Sequence, residues 1–246
     1  MIKTFTIRLR KLLTSITHPS LWHSLLKGIA PAIEHKSVLR SIGSQISGII
    51  DVGANRGQFS LICDLILPGK PIFAFEPIPS EAKLFQYVHS RNTAICLHQI
   101  AIGSTPGESV LNLSTSLDSS SLLEIGSLQT TIFRNTGLAS RIIVKVEPLD
   151  SFFDTWQNMN QLLLKIDVQG YELEVLKGAT ATLEKCLYVY LECSEIELYD
   201  GQALRKDVES FLALHSFNLL HIYNKSFYEG QLIQADYLFR SIRNGR

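Results

Sequence analysis

The segment from Ile49 to Phe59 constrains the fold of this 246-residue chain more than any other part. It reads Ile-Ile-Asp-Val-Gly-Ala-Asn-Arg-Gly-Gln-Phe, an apolar run that ends in an acid and is followed by two glycines. Such a pattern predicts a buried strand, a tight turn and then a helix. Because glycine has no Cβ, the turn could bring bare backbone N–H groups close to a ligand, as nucleotide sites of α/β proteins do.

The spacing of the glycines narrows the kind of nucleotide. Dinucleotide-binding turns carry G-x-G-x-x-G, and phosphate-binding loops place Lys and Ser or Thr after the last glycine. Gly53 and Gly57 have neither a glycine between them nor a lysine directly behind them. A turn without these features suits a nucleoside that has no phosphates, of which S-adenosylmethionine (SAM) is the common one. The plain alternative is that both glycines only permit a tight turn.

Composition restricts the classes of partner. The chain has 23 basic (Lys, Arg) and 23 acidic (Asp, Glu) residues, so its formal net charge is zero and we expect no nucleic-acid partner. A small-molecule or saccharide substrate is favoured instead. The four cysteines lack C-x-x-C spacing, which argues against a zinc site or a disulfide framework and favours a cytoplasmic location.

Residues 1–45 are predicted to form an N-terminal helical extension, with helices at 2–16 and 20–43. The first thirty residues are basic and contain no acid, and their apolar residues recur at helical spacing. Such a helix could make peripheral contact with anionic lipid, although a helix that caps the catalytic domain is favoured. No apolar run approaches the roughly 20 residues of a membrane span. The sequence does not predict the oligomeric state.

Residues 46–246 are predicted to form one domain in which strands and helices alternate. This alternation predicts a mostly parallel sheet with helices on both faces. Two added strands, at 109–114 and 141–146, are expected to flank a mobile Ser-rich loop at 114–127, and a final antiparallel hairpin is expected from strands at 217–223 and 237–241. The alternating elements are strands at 48–51, 71–75, 94–99, 161–166 and 187–191 and helices at 57–67, 79–90, 170–185 and 203–215.

Glu76 follows the second predicted strand, 25 residues after Asp51. An acid at this place can accept hydrogen bonds from both hydroxyls of a ribose, as it does in dinucleotide-binding folds. Pro77 and Pro79 would stiffen the exit from the strand. The alternative is a surface carboxylate that the N-terminus of the next helix attracts.

The segment 163–172 carries the strongest downstream signal. Its apolar strand would deliver Asp167, Gln169 and Glu172 to the carboxyl edge of the sheet, and a later strand would bring Glu192 to the same edge. Carboxylates gathered there could deprotonate a hydroxyl or bind a divalent cation, although each of them could also have only a structural role. The ammonium of Lys165 would either reach solvent or pair with a carboxylate.

Four motifs in order resemble those of the FkbM-type methyltransferases. They are Asp-Val-Gly-Ala-Asn-x-Gly at 51–57, Phe-Glu-Pro-x-Pro at 75–79, Ala-Ile-Gly at 101–103 and Lys-Ile-Asp-Val-Gln-Gly-x-Glu at 165–172. The resemblance covers roughly residues 46–240. It implies a class I, Rossmann-like methyltransferase fold with a seven-stranded sheet, the cofactor SAM, and O-methylation of a hydroxyl of a saccharide or glycan precursor.

The resemblance also implies roles for individual residues. Glu76 would bind the ribose, Ile78 and Ile102 would enclose the adenine, and the turn after Asp51 would hold the methionine end of SAM. Gln99 stands where the family often has Asn, and residues 119–122 would close over the substrate. The expected catalytic residues are Asp167, Glu192 and Glu172, and the expected cofactor-binding residues are Asp51, Gly53, Ala54, Asn55, Gly57, Phe59, Glu76, Pro77, Ile78, Gln99, Ala101, Ile102 and Asp167.

Two other functions remain open at this point. One is an NAD-dependent oxidoreductase on a Rossmann-like scaffold, although the missing middle glycine argues against it. The other is a binding module that has lost catalysis, although the acids at positions 51, 76, 167 and 172 are all present.

Overall fold

The computed structural model describes residues 21–243 of the chain. The strands are β1 Gly48–Val52, β2 Ile72–Phe75, β3 Ile95–His98, β4 Ala101–Ile102, β5 Gly107–Ser114, β6 Leu138–Glu147, β7 Leu162–Ile166, β8 Cys186–Ser194, β9 Phe217–Tyr228 and β10 Gln231–Ser241. The α-helices are α1 Trp22–Leu25, α2 Lys36–Ile42, α3 Gln58–Ile66, α4 Pro79–His89, α5 Ser127–Ile132, α6 Glu172–Lys177, α7 Thr180–Leu183 and α8 Arg205–Leu214. Short 3₁₀ helices occupy Ile33–His35, Gly43–Gln45, Leu117–Ser119 and Leu149–Thr155.

A seven-stranded sheet organises the fold, with the order β3-β2-β1-β7-β8-β10-β9. β3, β2, β1, β7 and β8 pair in parallel, and β10 runs antiparallel to both of its neighbours. This is the class I methyltransferase fold, and it confirms the predicted parallel sheet with an antiparallel C-terminal hairpin. The order reverses between β1 and β7, so the carboxyl ends of these strands form the crevice in which open α/β sheets bind ligands.

The two predicted strands in the middle of the chain belong to a second, three-stranded sheet. β6 lies between β4 and β5, pairing in parallel with β4 and antiparallel with β5. The buried face of this small sheet contributes Leu111, Val144 and Val146 to a cluster with Ile78 and Ala101. The second sheet therefore packs beside the segments that follow β2 and β3.

Two predicted helices are broken in the structure. The helix expected at 20–43 is interrupted after α1, where Gly28 adopts a φ of 68°, and helical structure resumes only at Ile33. The helix expected at 170–185 is divided into α6 and α7 around Gly178, where a Cβ would lie 2.0 Å from the carbonyl oxygen of Gly103. Tertiary packing and backbone conformation override helix propensity at both places.

The described part of the N-terminal extension packs directly on the sheet. Residues of the α2 segment, including Val38, Leu39 and Ile42, form one apolar cluster with Ile49 of β1 and Ile62 of α3. The helix predicted at 2–16 lies outside the described residues. In the part of the chain that is described, none of the helices combines the length and the apolar character that crossing a bilayer would require.

Candidate active site

A pocket opens at the carboxyl ends of β1, β2 and β7. The turn after β1, the segment after β2, the β3–β4 segment, the Ser-rich loop and the segment after β7 form its walls. The lining residues are Val52, Gly53, Asn55, Phe75, Glu76, Pro77, Ile78, Ile100, Ala101, Ile102, Leu111, Leu117, Asp118, Ser120, Ser121, Leu122, Asp167, Val168, Gln169 and Tyr171. Eight of the predicted cofactor-binding residues lie on this lining, namely Gly53, Asn55, Glu76, Pro77, Ile78, Ala101, Ile102 and Asp167.

The turn after β1 is closely packed against β7. Gly53 adopts a φ of 74°, and a Cβ at this position would lie only 1.9 Å from the carbonyl oxygen of Asp167. The backbone N–H groups of Gly53 and Ala54 both donate to the carbonyl oxygen of Phe75 at 3.0 Å. The expectation that the turn offers bare N–H groups is therefore wrong for these two, because the end of β2 already accepts their hydrogen bonds.

A buried ion pair supports this turn from below. The ammonium of Lys165 lies 3.1 Å from Oδ1 of Asp51, and it donates a hydrogen bond of 3.0 Å to the carbonyl oxygen of Gly53. Ser60 donates to the other carboxylate oxygen of Asp51 at 2.8 Å. Burial lowers the pKa of Lys165, but the charges of Asp51 and Asp167 outweigh burial and raise it, so the lysine stays charged. Asp51 is fully buried and orders the turn without lining the pocket.

Glu76 is buried at the floor of the pocket with its carboxylate oriented by two backbone groups. The N–H of Asn55 donates to Oε2 at 2.8 Å, and the N–H of Ile78 donates to Oε1 at 2.7 Å. Burial raises the pKa of Glu76 to about 7, although both hydrogen bonds oppose this shift. Each oxygen keeps one further lone pair, so the carboxylate can accept two more hydrogen bonds, which fits a diol such as ribose.

The pocket has apolar walls beside Glu76. Ile78, Ile102 and Leu122 line it, together with Ile100, which the sequence reasoning missed. Gln99 is not on this lining; it lies on the outer side of the β3–β4 segment and is exposed. Gln99 and Ile100 are neighbours in the sequence, and the turn that ends β3 determines which of them faces the pocket. In this turn the N–H of Ile100 donates to the carbonyl oxygen of His98 at 3.0 Å.

Asp167 and Glu192 are joined by an amide at the edge of the pocket. Nε2 of Gln169 donates to Oδ1 of Asp167 at 2.7 Å and to Oε2 of Glu192 at 3.0 Å, while its Oε1 lies 3.0 Å from the hydroxyl of Tyr199. Burial and the charge of Asp167 raise the pKa of Glu192 well above its ordinary range. Asp167 lines the pocket, whereas Glu192 is not on its lining. Tyr199 had no recognisable sequence signal.

Glu172, which was expected among the catalytic carboxylates, lies away from the pocket lining. Its side chain is buried, and Oε1 accepts the N–H of Gly170 at 2.9 Å. Burial raises its pKa to about 7. By accepting the N–H of Gly170, the carboxylate fixes the turn that precedes α6.

Three other predicted cofactor residues pack behind the turn. Ala54 lies in an apolar cluster with Ala74 and Phe85. A Cβ at Gly57, whose φ is 85°, would lie 2.4 Å from Nε2 of His89. The ring of Phe59 lies under the ammonium of Lys165, 5.6 Å from Nζ to the ring centroid. These residues shape the turn, and the pocket lining does not include them.

The Ser-rich loop is tied to the segment after β7. The hydroxyl of Ser121 donates to the carbonyl oxygen of Gln169 at 2.7 Å, and Ser121 also pairs with Asn112 of β5 through two backbone hydrogen bonds. Ser120, Ser121 and Leu122 line the pocket. The loop thus forms a wall of the pocket in this structure, and its closure over a substrate stays a prediction.

The carboxylates at the sheet edge do not form a metal centre by themselves. Between residues 21 and 243, no three His, Cys, Asp or Glu side chains come together in an arrangement that could hold a metal ion. Asp167 is instead engaged by Gln169, and Glu172 by the backbone of Gly170.

Comparison with known proteins identifies the class. The chain is 28% identical over 144 residues to Methyltransferase 1 of Beauveria bassiana, a match that covers 54% of this chain and 58% of that protein. It is 25% identical over 174 residues to 2-O-methyltransferase NoeI of Sinorhizobium fredii, which covers 68% of this chain and 72% of the relative. The chain thus spans less than two thirds of the Beauveria protein's length.

A solved structure and a family model agree with these relatives. The crystal structure of methyltransferase FkbM from Methylobacillus flagellatus aligns with a TM-score of 0.51 at 15% identity, over 78% of this chain and 44% of that one, which shows a shared fold. The model of the methyltransferase FkbM domain matches residues 51–219, from Asp51 near the end of β1 to the first residues of β9. Because that match covers more than half of the sequence and contains all four motifs, the chain belongs to the FkbM family of SAM-dependent methyltransferases.

Proposed function

We propose that this protein transfers a methyl group from SAM to a hydroxyl oxygen of a saccharide or glycan precursor. The observation that carries the proposal is the position of Glu76 and Asp167 in one pocket, the first oriented by two backbone N–H groups and the second at the mouth. Glu76 would bind the ribose hydroxyls of SAM, and the apolar walls would enclose the adenine. SAM, when bound, supplies a methyl group on a positively charged sulfur.

Asp167 is the residue we assign to the acceptor. Its side chain is 40% exposed and is held from one side by Gln169, so one carboxylate oxygen is available to a hydroxyl at the pocket edge. A hydroxylated acceptor suits this edge, because carboxylates and amides accept and donate the hydrogen bonds that sugar hydroxyls offer. The 2-O-methyltransferase among the relatives supports oxygen as the receiving atom.

The test uses purified full-length protein, SAM with a labelled methyl group and fractionated native glycans, each with and without a chelator. We expect the labelled methyl group in a saccharide fraction, on an oxygen that mass spectrometry locates. Loss of transfer in the presence of the chelator would show that the reaction requires a divalent cation. Asp167→Asn should abolish transfer while Asp154→Asn, on the 3₁₀ helix before β7, should not. Label in protein or lipid alone would contradict the saccharide acceptor, and full activity of Asp167→Asn would contradict the role of Asp167.

A further inference from the structure

A second polar cluster lies beside the cofactor pocket, on the β8 and β10 side of Lys165. The hydroxyl of Tyr190 donates to Oδ2 of Asp236 at 2.6 Å, and Nδ2 of Asn224 donates to the same oxygen at 2.6 Å. Nδ1 of His35 lies 2.9 Å from the hydroxyl oxygen of Tyr190 and 3.4 Å from Oδ2 of Asp236. His35 comes from the segment before β1, and the other three come from β8, β9 and β10.

The donors in this cluster determine which nitrogen of His35 carries the proton. Tyr190 has one hydroxyl hydrogen, and Asp236 accepts it. The hydroxyl oxygen can accept from Nδ1 at 2.9 Å, a closer contact than the 3.5 Å between Nδ1 and Nδ2 of Asn224, so we assign the proton of the neutral His35 ring to Nδ1. In the neutral ring this leaves Nε2 with a free lone pair, and among the described residues Nε2 has no hydrogen-bond partner. An imidazole whose Nδ1–H is bound by a hydroxyl that itself donates to a carboxylate presents Nε2 as the nitrogen that can act as a general base.

Three contacts in series connect the cluster to the pocket, whose lining includes Asp167 but not His35 or Phe59. The ring of His35 packs edge-on against Phe59, with 5.3 Å between the centroids, and Phe59 lies under the ammonium of Lys165. That ammonium is 3.9 Å from Oδ2 of Asp167, which lines the pocket. The sheet register places Asp236 opposite Glu192, so the cluster lies at the same carboxyl edge as the other acids.

Burial is partial, as a base that meets a substrate requires. The side chain of His35 is 17% exposed and that of Asp236 is 9% exposed. Burial lowers the pKa of His35, and this effect outweighs the charges of Asp236 and Glu34, which raise it. The imidazole is therefore neutral at pH 7. The charged groups that act on it are Asp236, Glu34, Lys165 and Asp167, and the hydroxyl of Tyr190 and the amide of Asn224 complete its polar surroundings.

We propose that His35 is the base that deprotonates the acceptor hydroxyl, held in its active tautomer by Tyr190 and Asp236. The hydroxyl gives its proton to Nε2, its oxygen forms the new O–CH₃ bond, and the S–CH₃ bond breaks with its electron pair staying on sulfur. S-adenosylhomocysteine and the methyl ether leave, and the imidazolium returns its proton to solvent. Asp167 binds the acceptor at the pocket edge. This assignment depends on the proposed function, since it concerns the same reaction.

Kinetics provide the first test, with methyl glycosides of neutral hexoses as the acceptor panel. His35→Gln should lower kcat at saturating SAM by about 10²–10⁴-fold and leave the dissociation constant of SAM unchanged, and imidazole should restore part of the activity of His35→Ala. His215→Gln, at the residue that directly follows α8, is the matched control and should behave as wild type. A kcat of His35→Gln within about threefold of wild type, or an equal loss of SAM binding, would overturn the role of a base.

A positioning role for Tyr190 gives a second kinetic test. Tyr190→Phe removes only the hydroxyl that accepts from His35, so kcat should fall at least about tenfold, while SAM binding is retained. Tyr188 is the matched control, because it lies two residues away on β8, is equally buried and donates to Gln45 at 2.9 Å. Equal effects of Tyr188→Phe and Tyr190→Phe would show that the hydroxyl of Tyr190 acts only in folding.

The ¹⁵N chemical shifts of the His35 ring test the assignment without any acceptor. Wild type should show the Nδ1–H tautomer, and Tyr190→Phe should increase the fraction of the Nε2–H tautomer. A wild-type ring with the proton on Nε2 would overturn the proposal whatever the acceptor is, since that nitrogen could not take a proton. A further result is that the wild-type protein binds SAM and shows the Nδ1–H tautomer but methylates no glycoside. This result would contradict the saccharide acceptor and would still agree with the predicted tautomer of His35.

Discussion

The ammonium of Lys165 lies 3.1 Å from the carboxylate of Asp51, and both residues are almost completely buried. They are directly paired in the register of β1 and β7. The same ammonium binds the carbonyl oxygen of Gly53, so one charged side chain connects the two strands and the turn at their ends. This ion pair therefore stabilises the turn whose residues Gly53 and Asn55 line the pocket.

Removing Lys165 should therefore destabilise the protein and disrupt the turn. Lys165→Met leaves the carboxylate of Asp51 buried without its counter-ion, which should lower the free energy of unfolding by roughly 3–5 kcal/mol. Urea denaturation measures this change, and Lys165→Met combined with Asp51→Asn should recover part of it. Lys145→Met is the control, because Lys145 pairs with Glu147 at the surface and should contribute less than about 1 kcal/mol. Equal effects of the two single substitutions would contradict a supporting role for the buried pair.

Gly53 should tolerate no side chain. Gly53→Ala places a Cβ against the carbonyl oxygen of Asp167 and forces alanine into a left-handed conformation. Gly69 has a similar φ of 79° but open space around it, so Gly69→Ala carries only the conformational cost of about 1–2 kcal/mol. We expect Gly53→Ala to lose roughly 1–3 kcal/mol more and to abolish SAM binding, as measured by urea denaturation and calorimetry. If the two variants match in stability and in SAM binding, the close packing of the turn has no role.

Glu172 should make the stability depend on pH. Burial raises its pKa to about 7 in the folded protein from an ordinary value of 4.5, so between these pH values the folded state holds a proton that the unfolded state has lost. Raising the pH through this window therefore favours unfolding. Glu172→Gln keeps an acceptor for the N–H of Gly170 and removes the titration. The free energy of unfolding of Glu172→Gln, minus that of wild type, should rise by roughly 1–3 kcal/mol between pH 4.5 and 7. If this difference between the two proteins stays constant with pH, Glu172 does not bind a proton in the folded state.

Much of the pocket could be predicted from the sequence because strand ends determine it. Glu76 and Asp167 each follow an apolar run, and the carboxyl ends of parallel strands meet at one edge of a sheet. The same reasoning could not predict whether Gln99 or Ile100 faces the pocket. The segment between β3 and β4 is irregular, so a shift by one residue changes which side chain points inward. Nor could the same reasoning show that Glu172 turns inward, because the backbone groups that bind its carboxylate are ordered only in the folded loop.

His35 illustrates the contacts that no local pattern predicts. It lies 155 positions before Tyr190 and comes from a segment that reads as one continuous helix. The break at Gly28 and the packing of α2 on the sheet bring it to β8 and β10. Its site is made by tertiary packing between distant segments, and only the fold reveals it.

Calorimetric titration of SAM across pH tests the central claim most directly, because that claim is the binding of ribose by ionised Glu76. If the carboxyl of Glu76 were protonated, its proton would occupy a lone pair that a ribose hydroxyl needs as an acceptor. Because burial raises the pKa of Glu76 to about 7, this protonation occurs within the pH range of the titration. SAM's own amino group titrates equally in wild type and in Glu76→Gln, so the ratio of their association constants isolates Glu76. Glu108→Gln, at an exposed position of β5, serves as the control.

The ratio of wild-type to Glu76→Gln association constants should rise by up to about tenfold per pH unit below pH 7 and level off above it. Glu108→Gln should follow wild type at every pH. Two results would contradict the binding of SAM by Glu76 in this pocket. One is a ratio that stays constant from pH 6 to about 8.5, the titration range expected for a pKa near 7. The other is a Glu76→Gln protein that binds SAM as tightly as wild type does.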